Sequence, residues 1–274
     1  MNTKLTAFLV IAGLATGLAG TASAQSALDA VVNSKKLRCG VMLDSPPSGF
    51  RNASNEPDGF DVAYCRDMAR ALGAEAEIVE TPAPDRIPAL VSNRIDILIA
   101  STTPTAQRAM TVAFTQPYMN YTTTVITRNG TNIEGWDDLK SAKLGGVIGT
   151  TTEQLLNSEI EKGWKDTGAT YTGFSSDTEA FLALQQGKVD AILQATAVFN
   201  TLAASGQFPE FVAAGMAPIN DQVSIAVRRD DQQFLNWAKL FVWQQRTGGR
   251  FAEIYKQFFG DGELPPLNAD GVDF

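Results

Sequence analysis

Short apolar runs alternate with amphipathic helical segments along most of this chain of 274 residues. The runs expected to form strands are 37–43, 77–79, 95–100, 122–127, 144–148, 189–193 and 223–227. The helical segments lie near 60–72, 85–92, 104–111, 151–161, 178–186, 196–204 and 231–246. Alternation of this kind predicts an α/β fold built on a mainly parallel sheet.

Two segments of the chain repeat the same pattern. Residues 90–98 (LVSNRIDIL) and 184–192 (LQQGKVDAI) share a leucine, a basic residue, a β-branched residue and an aspartate at the same spacing. In both copies a predicted helix ends and an apolar strand begins. The repeat therefore favours two lobes of similar topology.

The segment after the third predicted strand has the strongest functional signal. Thr103 is expected to be the N-cap of a helix and Pro104 its first residue. Arg108 then lies in the opening turns, where the helix dipole favours an anion over a cation. With the hydroxyls of Ser101 and Thr103, these donors predict a carboxylate site. The alternative is a surface arginine beside an ordinary capped helix.

A second donor-rich pattern follows the strand predicted at 144–148. Gly149 ends this strand, and Thr150 and Glu153 have capping-box spacing around Thr151 at the start of the next helix. Glycine allows a ligand close to the backbone, and a helix N-terminus supplies N–H donors. A capped turn without a ligand would look the same in isolation. Because each lobe offers one such helix start, we expect a small anion between them.

The N-terminus has the pattern of a secretory leader. Lys4 is followed by the apolar run 7–18 and an A-x-A signal at 22–24, which predicts cleavage near Ala24 and a periplasmic mature protein. No later stretch has the roughly 20 apolar residues that a membrane-spanning helix needs.

Composition excludes several classes of function. The formal net charge of −8 argues against nucleic acid or anionic membrane as a partner. The chain has no histidine, which excludes Ser-His-Asp and Cys-His catalysis and histidine-containing zinc sites. We therefore expect no cofactor, no metal site and no catalytic residues.

The two cysteines are Cys39, in a predicted strand, and Cys65, in a predicted helix. Cys65 shares a helix face with Met68 and Leu72, so it should point inward. A disulfide is favoured in an oxidising compartment, but two buried thiols fit the same pattern. The sequence leaves both possibilities open.

Seven motifs occur in order along the chain, followed by the ending 251–260 (FAEIYKQFFG). They are 36–41 (KLRCGV), 57–62 (PDGFDV), 86–90 (RIPAL), 94–103 (RIDILIASTT), Arg108 with 114–118 (FTQPY), 149–153 (GTTTE) and 187–191 (GKVDA). This set resembles the polar-amino-acid solute-binding proteins of ABC importers, family 3 of the periplasmic binding proteins. The pattern is closest to the glutamate/aspartate-type members.

The resemblance implies a two-lobed periplasmic binding protein type II fold with two hinge strands and a ligand in the interlobe cleft. It divides the chain into a signal peptide (1–24), lobe 1 (25–120 plus 221–274) and lobe 2 (121–220), with hinges near 120–123 and 217–222. It also implies a monomer that delivers a small carboxylate to a membrane permease of an ABC importer. The expected ligand is an acidic or polar amino acid or a related organic anion.

Site roles follow from the same resemblance. Arg108 matches the arginine that holds the ligand's α-carboxylate in a bidentate grip, and Ser101 and Thr103 match contacts to its α-amino and carboxylate groups. The second-lobe carboxylate donors match Thr150, Thr151 and the backbone after Gly149. Arg86 stands where glutamate/aspartate-binding members read an acidic side chain, although an ion pair with Asp85 is the alternative.

One position departs from the family pattern. Relatives hold the ligand's ammonium with an aspartate where this chain has Ala195, beside the candidate contact Gln194. Asp44 and Asp177 are the candidate substitutes, although Asp177 could simply cap a helix. Otherwise the ligand has no ammonium group. In either case we expect anionic ligands to be preferred over basic ones.

A second class of function uses the same scaffold. An exported dehydratase of the cyclohexadienyl type would need a general acid in the cleft, and burial could raise the pKa of Asp177 enough for this role. The sequence shows no acid and base paired at a defined spacing. Binding without catalysis is therefore the favoured function.

Overall fold

A computed structural model describes residues 26–267. The expected signal peptide, 1–24, and its cleavage site lie outside the described residues. In chain order the strands are β1 (Lys36–Val41), β2 (Asp44–Ser45), β3 (Gly49–Arg51), β4 (Pro57–Asp58), β5 (Glu75–Glu80), β6 (Ile97–Thr102), β7 (Val112–Arg128), β8 (Lys143–Val147), β9 (Thr170–Phe174), β10 (Ala191–Ala195) and β11 (Phe211–Arg228).

The helices alternate with these strands, as the apolar pattern predicted. They are α1 (Ala27–Ser34), α2 (Phe60–Ala71), α3 (Arg86–Val91), α4 (Ala106–Ala109), α5 (Thr151–Lys162), α6 (Asp177–Gln185), α7 (Thr196–Ser205), α8 (Gln232–Thr247) and α9 (Arg250–Phe259). Short 3₁₀ helices form at Ala83–Asp85, Trp136–Ser141 and Trp164–Thr167. Among the described residues, no helix combines the length and apolar character needed to cross a membrane.

Eight strands form one sheet in the order β5-β1-β6-β11-β7-β10-β8-β9. Strand β1 pairs in parallel with β5 and β6, and β8 pairs in parallel with β9 and β10. The strands β2, β3 and β4 form a separate small sheet. Each end of the large sheet is thus a parallel α/β unit, as expected for two similar lobes.

The repeated sequence pattern performs the same structural task in both units. The Asp96 carboxylate accepts from the backbone N–H of Arg38 at 2.9 Å, and the Asp190 carboxylate accepts from that of Lys143 at 2.9 Å. The backbone N–H groups of Asp96 and Asp190 donate back to the carbonyls of Arg38 and Lys143. Each aspartate therefore fastens the start of the parallel strand beside its own.

Two long antiparallel strands connect the units. Strands β7 and β11 pair along most of their length, with Tyr121 opposite Asp221 and Thr122 opposite Asn220. The C-terminal part of β11 pairs with β6, and the C-terminal part of β7 pairs with β10. The expected hinge segments thus lie in the middle of these strands, and the lobe boundaries themselves stay a prediction.

A disulfide joins Cys39 of β1 to Cys65 of α2, with a Cα–Cα distance of 6.2 Å. Both residues are fully buried in the core of the first unit. The alternative of two free thiols is therefore wrong. The bridge ties α2 to β1 of the large sheet.

Candidate functional site

A cavity lies between the two units, beside the middle of β7 and β11. Most residues proposed for the site line it: Arg86, Ser101, Thr103, Arg108, Thr150, Thr151, Asp177 and Gln194. Gly149 and Asp44 reach the same region through hydrogen bonds described below. The structure therefore brings the proposed set together from both lobes.

The helix start in the first lobe differs from the prediction. Thr105, not Thr103, is the N-cap, because its hydroxyl accepts from the backbone N–H of Arg108 at 3.1 Å. Thr103 is engaged elsewhere: its hydroxyl donates to Asp221 and its carbonyl accepts from the Arg108 guanidinium. Helix α4 has only four residues. The predicted N-cap Thr103 and first helical residue Pro104 are therefore wrong, although Arg108 lies in the first turn as expected.

Arg108 nevertheless faces the cleft. Its side chain is only 8% exposed, Nη1 donates to the Thr103 carbonyl at 2.7 Å and Nη2 donates to the Gly149 carbonyl of the opposite lobe at 2.7 Å. A guanidinium has five N–H groups, and within residues 26–267 two of those of Arg108 are hydrogen-bonded. Burial lowers the Arg108 pKa, which the Asp221 carboxylate counteracts.

Arg86 is anchored more tightly. It donates to the carbonyls of Ala83, Ala100, Ser101 and Gly149 at 2.9–3.1 Å, which uses four of its five N–H groups. Burial, and next the nearby Arg108, lowers its pKa to about 10. The alternative ion pair with Asp85 does not form, since Asp85 pairs with Arg94 at 3.3 Å. Reading of an acidic ligand side chain by Arg86 stays a prediction.

Ser101 is held in an unusual backbone conformation, with φ of 44°. Its N–H donates to the Tyr118 hydroxyl at 3.2 Å, and that hydroxyl donates to Asp61 at 2.9 Å. Non-glycine residues rarely adopt such a φ without support from their surroundings. Sequence reasoning missed Asp61 and Tyr118 as supports, although Asp61 belongs to the motif at 57–62.

The second-lobe helix start agrees with the sequence. Thr150 is the N-cap of α5 and accepts from the Glu153 N–H at 3.1 Å, while the Glu153 carboxylate accepts from the Gly149 N–H at 2.7 Å. Gly149 has φ of 80°, in the left-handed region that favours glycine. This turn directs the Gly149 carbonyl at both buried arginines. The predicted capping interaction is confirmed.

Asp221 was missed by the sequence analysis. It lines the cavity from β11, and its Oδ1 accepts from the Thr103 hydroxyl at 2.9 Å and from the Thr151 hydroxyl at 2.8 Å. One threonine comes from each lobe. The only available signal was an aspartate inside a predicted hinge segment, which is a weak one.

Asp177 and Asp44 meet across the cleft. The Asp177 N–H donates to Asp44 at 3.0 Å, and the Asp177 carboxylate accepts from the Gln194 side chain at 2.8 Å. Ser176 is the N-cap of α6, so the capping alternative for Asp177 was wrong. Burial raises the pKa of Asp177 to about 7, with Asp44 adding to the effect. Burial also raises the pKa of Asp44.

Comparisons with known proteins identify the family. The model of the bacterial extracellular solute-binding proteins, family 3, matches residues 37–261, and the chain belongs to this family. It is 27% identical to the ABC transporter glutamine-binding protein GlnH of Bacillus subtilis, over 88% of each chain.

Solved structures show the same architecture. A mutant of ArgBP from T. maritima matches with a TM-score of 0.76 and 27% identity, over 86% of this chain and 100% of that one. The ancestral amino acid-binding protein AncCDT-1, a precursor of cyclohexadienyl dehydratase, matches with a TM-score of 0.75 and 27% identity, over 86% of this chain and 100% of that one. The predicted two-lobed type II fold is confirmed.

Proposed function

We propose that this protein captures an amino acid or a closely related small carboxylate in the cleft and delivers it to the permease of an ABC importer. It would act in the periplasm as a monomer, without a cofactor. The relatives named for glutamine and arginine binding support an amino acid as the ligand class. An acidic or polar side chain on that amino acid is our more specific proposal.

The main support is Arg108. Its guanidinium is buried in the cleft, and three of its N–H groups have no partner among residues 26–267. It lies opposite the N-terminus of α5. A buried cation with unused planar donors suits a carboxylate, which it can bind through two parallel hydrogen bonds. Thr150 and Thr151 border the same cavity at the start of α5, with their hydroxyls donating to the Val147 carbonyl and to Asp221.

Ligand screening tests this proposal. Thermal unfolding would be followed with L-glutamine, L-glutamate and L-arginine, and with agmatine, which is arginine without its carboxylate. A ligand at 100 times its dissociation constant stabilises a protein by about 2.7 kcal/mol, which is easily detected. We expect at least one amino acid to stabilise the protein and agmatine to have no effect. Stabilisation by agmatine equal to that by the amino acids would contradict recognition of a carboxylate. Absence of stabilisation by all three amino acids would contradict an amino acid as the ligand.

A dehydratase on the same scaffold is the second candidate. The supporting observation is Asp177, which is 6% exposed, lines the cavity and has a pKa near 7, as a general acid requires. Its Gln194 contact would orient the carboxyl group. The two functions differ in the fate of the ligand. Mass spectrometry after incubation should recover a binding-protein ligand unchanged, whereas loss of water from a cyclohexadienyl carboxylate would establish the enzyme.

A further inference from the structure

The cleft has no carboxylate at position 195, yet it does have one at Asp221. Ala195 and Asp221 line the same cavity, the former at the end of β10 and the latter in the middle of β11. A family aspartate at 195 would have come from the second lobe. Asp221 instead belongs to a strand that crosses between the lobes.

The Asp221 side chain is fixed and still has an accepting oxygen. Both threonine hydroxyls, from Thr103 and Thr151, donate to Oδ1. Within residues 26–267 no hydrogen bond or ion pair reaches Oδ2. A carboxylate oxygen has two lone pairs, so Oδ2 can accept from an N–H donor without disturbing the threonines.

The distribution of charge points to a ligand of two charges. Arg108 and Asp221 both line the cavity, and the Asp221 carboxylate favours the charged form of Arg108, but within residues 26–267 the two groups form no direct ion pair. Arg86 also lines the cavity, but four of its N–H groups are bound to backbone carbonyls. Asp177 already accepts from Gln194. Asp177 also keeps accepting capacity, but its burial raises its pKa to about 7 and so favours its neutral form. Arg108, and Asp221 with its unoccupied Oδ2, are therefore the pair of opposite charges that best fits such a ligand.

We propose that Asp221 accepts the α-ammonium group of the ligand while Arg108 holds its α-carboxylate. The ligand is then an α-amino acid in its zwitterionic form, and deaminated carboxylates bind weakly. This inference rests on the proposed function. A role of this kind for Asp221 argues against a ligand without an ammonium group, the possibility that Ala195 had raised.

Substitution Asp221→Asn tests the assignment, because asparagine keeps an oxygen for the two threonines and loses the charge. Calorimetry would measure the dissociation constants of two ligands, the amino acid that binds best in the screen and its 2-hydroxy analogue. A charge-assisted hydrogen bond corresponds to about 10- to 100-fold in affinity. We expect Asp221→Asn to lower the affinity for the amino acid by that factor and the affinity for the hydroxy acid by less than about threefold. The wild-type protein should prefer the amino acid by about 10-fold or more.

Three variants complete the design. Asp230→Asn changes an exposed aspartate just beyond the end of β11 and should leave both affinities unchanged. Asp177→Asn tests the competing carboxylate. Ala195→Asp, added to Asp221→Asn, restores a carboxylate at the position used by relatives and should recover selectivity for the amino acid.

The outcomes distinguish failure of the proposed function from failure of the role of Asp221. If the wild-type protein binds none of the amino acids, an amino acid as the ligand of the proposed function is ruled out, and this inference fails with it. If the amino acid binds but wild type does not distinguish it from the hydroxy acid, only the role of Asp221 is overturned; this comparison needs no variant. The role of Asp221 would also be overturned if Asp221→Asn lowered the affinity for both ligands equally. The same holds if only Asp177→Asn selectively lowered the affinity for the amino acid.

Discussion

Replacement of Arg108 is the most direct perturbation of the site. We expect Arg108→Ala to remove two charge-assisted hydrogen bonds to the ligand's carboxylate, each worth about 1.5–3 kcal/mol. The combined loss of about 3–6 kcal/mol corresponds to roughly 10²- to 10⁴-fold in the dissociation constant. Arg108→Lys should fall between wild type and alanine, because lysine keeps the charge but not the planar pair of donors.

The fold should survive this change. Arg108 bonds in the structure to the carbonyls of Thr103 and Gly149, which border the cleft and can be hydrated once the side chain is gone. Because water can replace these two bonds, their loss should lower the free energy of unfolding by about 1–3 kcal/mol, less than the loss of two charged bonds that stay dry. Titration calorimetry with the best amino acid from the screen measures the binding loss, and denaturant unfolding measures stability.

Arg94 offers a matched control for the same chemistry. Its side chain is 49% exposed and its ion pair with Asp85 lies on the surface, where such pairs contribute little. Arg94→Ala should therefore bind like wild type. An Arg108→Ala protein that is folded and binds within about threefold of wild type would refute the assignment of the carboxylate to Arg108.

Three further predictions follow from the structure. Cys39→Ala with Cys65→Ala should lower the free energy of unfolding by about 3 kcal/mol, from the loop of 26 residues that the bridge closes, and a urea titration showing no difference would contradict this. Ligand should draw the lobes together about the middle of β7 and β11, which X-ray scattering would detect as a smaller radius of gyration; an unchanged radius would count against hinge closure. L-arginine should bind more weakly than L-glutamine, because Arg86 and Arg108 are both buried beside the cavity; calorimetry showing the reverse order would contradict this.

Sequence periodicity predicted the alternating elements because each apolar run packs within its own lobe. The long strands were harder to predict. Only 122–127 was predicted for β7, which actually begins at Val112, since its first half contains Pro117 and polar residues that obscure the pattern. Strand β9 was missed because its burial alternates poorly and its side chains are partly exposed. Tertiary pairing, not local pattern, decides these segments.

The site was predictable wherever one local motif determines the geometry. Thr150 and Glu153 formed the expected cap because both partners lie within one helical turn. Thr103 did not cap its helix because its hydroxyl bonds to Asp221, which is 118 residues away in sequence. No local pattern indicates such a contact. Asp61 was missed for the same reason, since its partner Tyr118 is 57 residues away.

Asp61 gives this protein a pH dependence that can be measured cleanly. The side chain is 1% exposed beneath Ser101, and burial raises its pKa to about 8 despite the hydrogen bonds from Tyr118 and Ser101. In the unfolded chain the Asp61 pKa has its ordinary value of about 3.8, so the folded state binds more protons between about pH 4 and pH 8. The free energy of unfolding should therefore fall as pH rises through this window.

Asp61→Asn should remove this slope, because an amide does not titrate and its oxygen can still accept from Tyr118. With one extra proton on the folded state, wild type should lose about 2–3 kcal/mol between pH 5 and pH 7 relative to the variant. The chain has no histidine to titrate in this range. Asp177 and Asp44 also have raised pKa values, but they are present in both proteins and cancel in the difference. Urea unfolding at several pH values gives the two curves. Parallel curves would mean that Asp61 is ionised in the folded protein, and the polar support of Ser101 would then rest on a buried carboxylate instead of a neutral acid.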